Sequence, residues 1–183
     1  MRVIAGTYKG RSLKAVPGMS TRPTTDKVKE AIFSRMGPFF DGGLGLDLFA
    51  GSGGLGIEAL SRGIESCIFV DHNGKAIQTV KENLKSLRID ENQYEIYKAD
   101  AKRALKACGK RELQFDLIML DPPYKLQNHM DLISIIEEYQ LLKDSGWILC
   151  EHDAKDSLTD TNQFEIVKRE EYGMIGVTLF RQK

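Results

Sequence analysis

"LDLFAGSGGLGIEAL", residues 46–60, decides the fold. An apolar run ends at Phe49, a glycine-rich turn follows, and a helical pattern begins near Gly54. Gly51, Gly53 and Gly56 let the backbone turn tightly and approach a ligand, with the amino end of a helix behind them. Their spacing satisfies G-x-G-x-x-G. Asp71 ends the next apolar run about 20 residues on, where an acid can accept hydrogen bonds from ribose hydroxyls. The competing reading is a glycine loop that only packs a helix on a sheet. An acid after the second strand favours a ligand of the adenosine type instead.

Working outward, short apolar runs at 44–49, 66–71, 94–99, 115–121 and 146–151 read as strands. Helical patterns lie between them: after Gly53, over Ile77, Val80, Leu84 and Leu87, after Asp100, and around 130–139. Strands alternating with helices predict βαβ units, hence an α/β fold with a doubly wound, mostly parallel sheet. "FEIVKREEY" and "GVTLFRQ", joined by a short turn around Gly173, predict an antiparallel pair at the end of the sheet. At the other end, residues 2–16 predict a β-hairpin turning near Lys9 and Gly10. "STRPTT" is then an extended loop, because Pro23 holds Arg22 out of helical conformation. A helix starts at Thr25 or Asp26, either of which can cap it, with Val28, Ala31, Ile32 and Met36 on one face. The expectation is one domain over 1–183: a basic appendage at 1–40 and a catalytic α/β core at 44–183.

The composition, 42% hydrophobic and 28% charged over 183 residues, is that of an ordinary soluble domain with room for a sizeable core. No run of about 18 apolar residues could span a membrane, and "MRVIAGTYKG" lacks the continuous apolar region of a signal peptide. Cys67, Cys108 and Cys150 are scattered and read as small core residues of a reduced, cytoplasmic protein. His72, His129 and His152 are equally dispersed, without metal-ligand spacing. Net charge is zero, yet residues 1–40 hold eight Lys or Arg against two acids, leaving eighteen against twenty-four elsewhere. A basic arm on a mildly acidic body suggests contact with a polyanion. A solvated hairpin face explains the same charges equally well.

Asp47 lies inside the first strand, four residues before the first glycine. A negative side chain there suits a ligand with an ammonium or sulfonium group better than a pyrophosphate. Asp100 follows the third strand and Asp121 the fourth. In a doubly wound sheet, ligands bind beyond the carboxyl ends of the strands, so Asp47, Asp71, Asp100 and Asp121 are expected on one rim. Singly, each is as well read as a turn former or cap.

"DLFAGSGGLG", the acids Asp71 and Asp100, and "DPPY" at 121–124 resemble motifs I to IV of class I S-adenosylmethionine-dependent amino-methyltransferases, which have a Rossmann-like sheet. "RVIAGTYKGRSL" with "RPTTDKVKEAIFS" is similar to the RsmD-type enzymes, which modify N2 of a guanine in bacterial 16S rRNA. The similarity runs from Arg2 to about His152. The resemblance implies that Gly51, Ser52 and Gly53 contact the methionine part of the cofactor and that Asp47 orients the loop or the amino group. It implies Asp71 on the ribose, Asp100 on the adenine amino group, the Ala101 backbone on the ring, and Thr24 and Thr25 in a loop closing over the cofactor. Thr25 is equally a helix cap. The implied partner is 16S rRNA or the small-subunit particle, with S-adenosylhomocysteine as product and no metal, membrane or obligate protein partner.

"DPPY" fits this chemistry physically. An exocyclic base amine is a poor nucleophile, because its lone pair is delocalised into the ring. Two acceptors aimed at its N–H bonds, the Asp121 carboxylate and the Pro122 carbonyl, favour a pyramidal nitrogen and stabilise its developing positive charge. The prolines fix φ and remove competing amide donors. Tyr124 can stack on the base, a contact worth ~1–3 kcal/mol. A paired base must be flipped to reach such a pocket, and Arg2, Lys9, Arg11, Lys14 and Arg22 would grip the phosphates around it. Tyr8 can stack on a neighbouring base or pack on its own strand. Three other readings remain: an adenine-N6 methyltransferase, which can carry the same four residues; a NAD-dependent oxidoreductase, which leaves Asp47, Asp100 and "DPPY" unexplained; and a non-catalytic RNA-binding module.

Overall fold

A computed structural model describes residues 1–19, 24–123, 125–126 and 128–183. Helix α1 spans Asp26–Arg35 and is followed by β1 (Leu44–Asp47), α2 (Gly54–Ser61), β2 (Ser66–Asp71) and α3 (Gly74–Ser86). A 3₁₀ turn at Glu91–Gln93 leads into β3 (Tyr94–Lys98) and α4 (Ala101–Lys110). Then come β4 (Phe115–Leu120), α5 (His129–Glu138), β5 (Leu142–Asp153), β6 (Phe164–Tyr172) and β7 (Ile175–Gln182). The seven strands form one sheet in the order β3-β2-β1-β4-β5-β7-β6. β1 pairs in parallel with β2 and β4, β2 with β3, and β4 with β5. β7 runs antiparallel to both β5 and β6, turning from β6 at Gly173 with φ +65°. The expected mostly parallel sheet with an antiparallel end is therefore what forms.

Alternating residues along the strands feed two cores, as a sheet covered on both faces requires. Cys67, Phe69, Leu117 and Met119 pack with Phe33 of α1, Ile57 of α2 and Val80 of α3. Ile68, Val70, Ile118 and Leu120 pack with Leu105 of α4 and Ile133 of α5 on the other face. The three cysteines are buried among these residues.

The amino-terminal hairpin is brief. One antiparallel bridge joins Arg2 to Ser12, supported by Val3 N–H to Arg11 O at 2.9 Å and Leu13 N–H to Met1 O at 2.9 Å. It extends no further because the next amides turn to α2 instead. Ile4 and Ala5 donate to the two Glu58 oxygens at 2.9 and 3.1 Å, and Tyr8 donates to Ser61 Oγ at 2.9 Å. Asn83 of α3 then holds Lys14 by both its N–H and its C=O. The arm is thus strapped across the ends of two helices.

Candidate active site

β1 is the turning point of the topology, with β2 and β3 on one side and β4 onward on the other. Such a switch point leaves a crevice at the carboxyl ends of the strands. Here it is a cavity of about 730 Å³, walled by Asp47, Gly51, Ser52, Asp71, Asp121 and Pro122. The glycine loop takes its shape from two requirements. Gly53 adopts φ +87° as it caps α2, a conformation favouring glycine. Gly56 sits so close to the Phe69 ring and the Asp47 carboxylate that a Cβ would overlap the ring. The third glycine of the pattern therefore serves helix-on-strand packing, Gly53 turns the chain into α2 against Ile57 and Val80, and Gly51 lies on the cavity wall.

Each predicted acid can now be placed. Asp47 is 1% exposed, and its Oδ2 accepts the Gly56 amide at 2.9 Å. Burial pushes its carboxyl up to about 7, partly opposed by the Gly56 amide and reinforced by Asp71. Asp71 accepts Gly51 N–H with one oxygen and Asn73 N–H with the other, both at 2.9 Å, tying the glycine loop to the end of β2. Asp121 follows β4 directly. Burial, with the neighbouring Glu151 and Asp47 carboxylates, pushes it well above the usual range. Asp100 is brought to the same end of the sheet but not to the cavity wall. It caps α4, accepting the Arg103 amide at 3.2 Å, with Ala101 opening that helix.

Thr24 and Thr25 part company. Thr25 is the cap of α1, accepting the Val28 amide at 3.3 Å. Thr24 lines the cavity and donates to Glu151 Oε2 at 2.7 Å. Glu151, at the carboxyl end of β5 and 3% exposed, was not singled out by sequence reasoning. It ends the apolar run at 146–151, so the signal that marked the other acids was present. Tyr124 and Arg22 lie outside the described residues.

Of the arm's cations, Arg2 pairs with Asp26 at 2.8 Å and Lys14 with Glu82 at 3.5 Å, both at the surface. Arg11 donates to Ser86 O at 3.1 Å, and Lys9 is exposed. Tyr8 packs against the core on the α2 side. Met1, Ala15 and Val16 carry the arm to the mouth of the cavity, while Arg2, Lys9, Arg11 and Lys14 are not part of its wall.

The family model described as "Conserved hypothetical protein 95" matches residues 1–181. YlbH of Bacillus subtilis (strain 168) is 58% identical over 184 residues, spanning 100% of both chains. The ribosomal RNA small subunit methyltransferase D of Haemophilus influenzae is 31% identical, over 99% of this chain and 93% of its own. Among solved structures, yhhF from Escherichia coli superposes with a TM-score of 0.85 at 27% identity, covering 100% of this chain and 98% of that one. Both the fold and the length of these matches agree with the resemblance in the motifs. The chain belongs to the RsmD-type methyltransferases, the family that this model describes.

Proposed function

We propose that this protein transfers a methyl group from S-adenosylmethionine to the exocyclic N2 of a guanine in 16S rRNA, as free RNA or within the small ribosomal subunit. The observation that carries the reading is the shared cavity. In it the glycine loop after β1 faces the Asp121 and Pro122 end of β4. The name of the Haemophilus influenzae relative supports the substrate.

The donor set fits this cofactor. Asp47, Asp71, Asp121 and Glu151 outnumber Lys29 and Lys125 along the cavity, so its wall favours a cationic ligand over a pyrophosphate. That balance also counts against a nicotinamide dinucleotide. When bound, S-adenosylmethionine supplies a methyl group activated on a positively charged sulfur. Gly51, Ser52 and Gly53 would hold its methionine part, with Asp47 facing the ammonium. Asp71 keeps lone pairs for the ribose hydroxyls after serving the loop amides. Asp100 and Ala101 would bound the adenine side from the end of β3.

The remaining work falls to the chain's own acceptors. The Asp121 carboxylate and the Pro122 carbonyl would take the two N–H bonds of the amine. They would hold the nitrogen pyramidal and stabilise its developing charge. Tyr124 would stack on the base, and Asp121 would accept the departing proton. Positioning supplies much of the rate enhancement, because the methyl group arrives already activated.

The test uses methyl-labelled S-adenosylmethionine and small-subunit particles lacking the modification. Label is expected in 16S rRNA, recovered after digestion as N2-methylguanosine. Asp121→Ala should lower the rate on the order of 10²-fold or more. Label on adenine or in DNA would overturn the base assignment. Absence of label on any nucleic acid would overturn methyl transfer itself.

A further inference from the structure

Glu151 has no role in the motifs that define the site, yet it is built into it. It stands at the carboxyl end of β5, beside β4, and lines the same cavity as Asp121. Its side chain is 3% exposed, and the hydroxyl of Thr24, just before α1, donates to it at 2.7 Å. Leu120 pairs with Cys150 in the parallel register of β4 and β5, so Asp121 and Glu151, one residue further along each, stand side by side at the cavity. Two neighbouring carboxyls, one of them buried, hold a single proton between them up to a pH above the ordinary carboxylate range.

We propose that Glu151 is a positioning residue of the methyl-transfer site: joined to Asp121 and fixed by Thr24, it holds Asp121 toward the reacting amine and shares with it the proton the amine releases. This rests on the function proposed above. The step balances as follows. The N2–C bond forms as the C–S bond breaks, and that electron pair stays with sulfur. The proton lost from N2 enters the ionised carboxyl pair, whose charge changes from minus two to minus one. Solvent at the cavity mouth later removes it. A lone aspartate with a pKa near ~3.9 would be a weak acceptor at neutral pH. Burial raises both carboxyls here, and Glu151 raises Asp121 further. The ionised pair therefore holds one proton more strongly than either acid alone.

The charged and titratable neighbours come from several elements. Asp47 on β1 adds negative charge, and Lys29 on α1, 3% exposed, lines the same cavity. His129 on α5 sets its Nε2 against the Glu151 backbone carbonyl at 2.9 Å, and burial lowers the pKa of that ring. None of these three replaces the carboxyl-to-carboxyl contact.

The first measurement needs no activity: carbon-detected NMR titration of the side-chain carboxyls in cofactor-free protein. Asp121 and Glu151 are expected to titrate in two linked steps, with one proton retained well above the ordinary carboxylate range. In Glu151→Gln, which keeps an acceptor for Thr24, Asp121 should titrate in a single step at lower pH. The second measurement is kcat against pH. Glu151→Gln should lower kcat on the order of 10²-fold, move the acidic limb to lower pH, and leave KM for the cofactor within about twofold. Glu151→Asp should recover part of kcat. Independent titration of the two acids in the ordinary range overturns the proposal. So does a Glu151→Gln enzyme whose kcat and acidic limb match the wild type. A wild-type protein that methylates nothing removes the function, while the NMR titration still decides whether the pair exists.

Discussion

Asp47 accepts the Gly56 amide from inside the sheet, and burial lifts its carboxyl from 3.8 to about 7. An acid raised in this way keeps its proton in the folded chain at pH values where the unfolded chain has lost it. From about 4 to about 7, the folded state binds more protons, so stability falls as pH rises across that window. Asp47→Asn removes the buried charge and keeps an oxygen for Gly56. The cofactor-free variant should melt ~2–4 °C higher or more at pH 8 for each kcal/mol relieved, with little gain at pH 5. Its affinity for S-adenosylhomocysteine should drop, because the amino acid part loses a carboxylate. A melting temperature unchanged at pH 8 would show that Asp47 is already neutralised in the fold. Residues like this one were legible because an acid at the end of an apolar run is rare in a buried strand. The same rule covers Glu151, which was overlooked for lack of a motif around it. It also covers Asp100, which caps α4 away from the cavity wall. The rule finds the rim of the sheet, and only the three-dimensional fold shows where the rim is indented.

At the scale of elements, the strands and helices of the core were readable from periodicity, because each strand feeds two apolar layers and each helix only one. What periodicity could not show is how the arm is fastened. Glu58 is fully buried in α2 and receives Ile4 N–H, Ala5 N–H, Arg62 Nε at 2.7 Å and Lys29 Nζ at 3.5 Å. Arg62, 1% exposed, extends to Glu30 at 3.1 Å. A glutamate inside "GIEAL" carries no sign of this in sequence, since its partners lie 54, 53 and 29 positions away as well as one turn ahead. Breaking a buried ion pair by removing one partner costs about 3–5 kcal/mol. Glu58→Gln should therefore lower stability by about 3 kcal/mol in urea denaturation, leaving Lys29 and Arg62 without their shared carboxylate. A loss below about 1 kcal/mol would mean that apolar contacts of Val3 and Leu13 hold the arm on their own.

For the whole molecule, the order of the strands turns a neutral chain into a polarised one. The carboxyl ends of β1, β2, β4 and β5 gather acids around the cavity, while the first 19 residues, with four basic residues and no acid, reach its mouth at Met1, Ala15, Val16 and Met19. The acidic interior suits a cationic cofactor, and the basic border suits a polyphosphate backbone held outside it. The separation is physical as well as electrical. Lys9 and Arg11 stand at the turn of the hairpin, Arg11 donates to Ser86 O, and neither residue is part of the cavity wall. Reversing both, Lys9→Glu with Arg11→Glu, should weaken binding to small-subunit RNA. The slope of log K against log salt should shrink by about 1.4–1.8, the equivalent of two phosphate contacts. Affinity for S-adenosylhomocysteine should stay within about twofold, because the strap formed by Glu58, Ser61 and Asn83 is untouched. Filter binding across a salt series and calorimetry on the same preparations measure the two quantities side by side. If RNA and cofactor affinity fell together, the charged turn would be part of the scaffold. An unchanged salt slope would move the phosphate grip to another face of the protein.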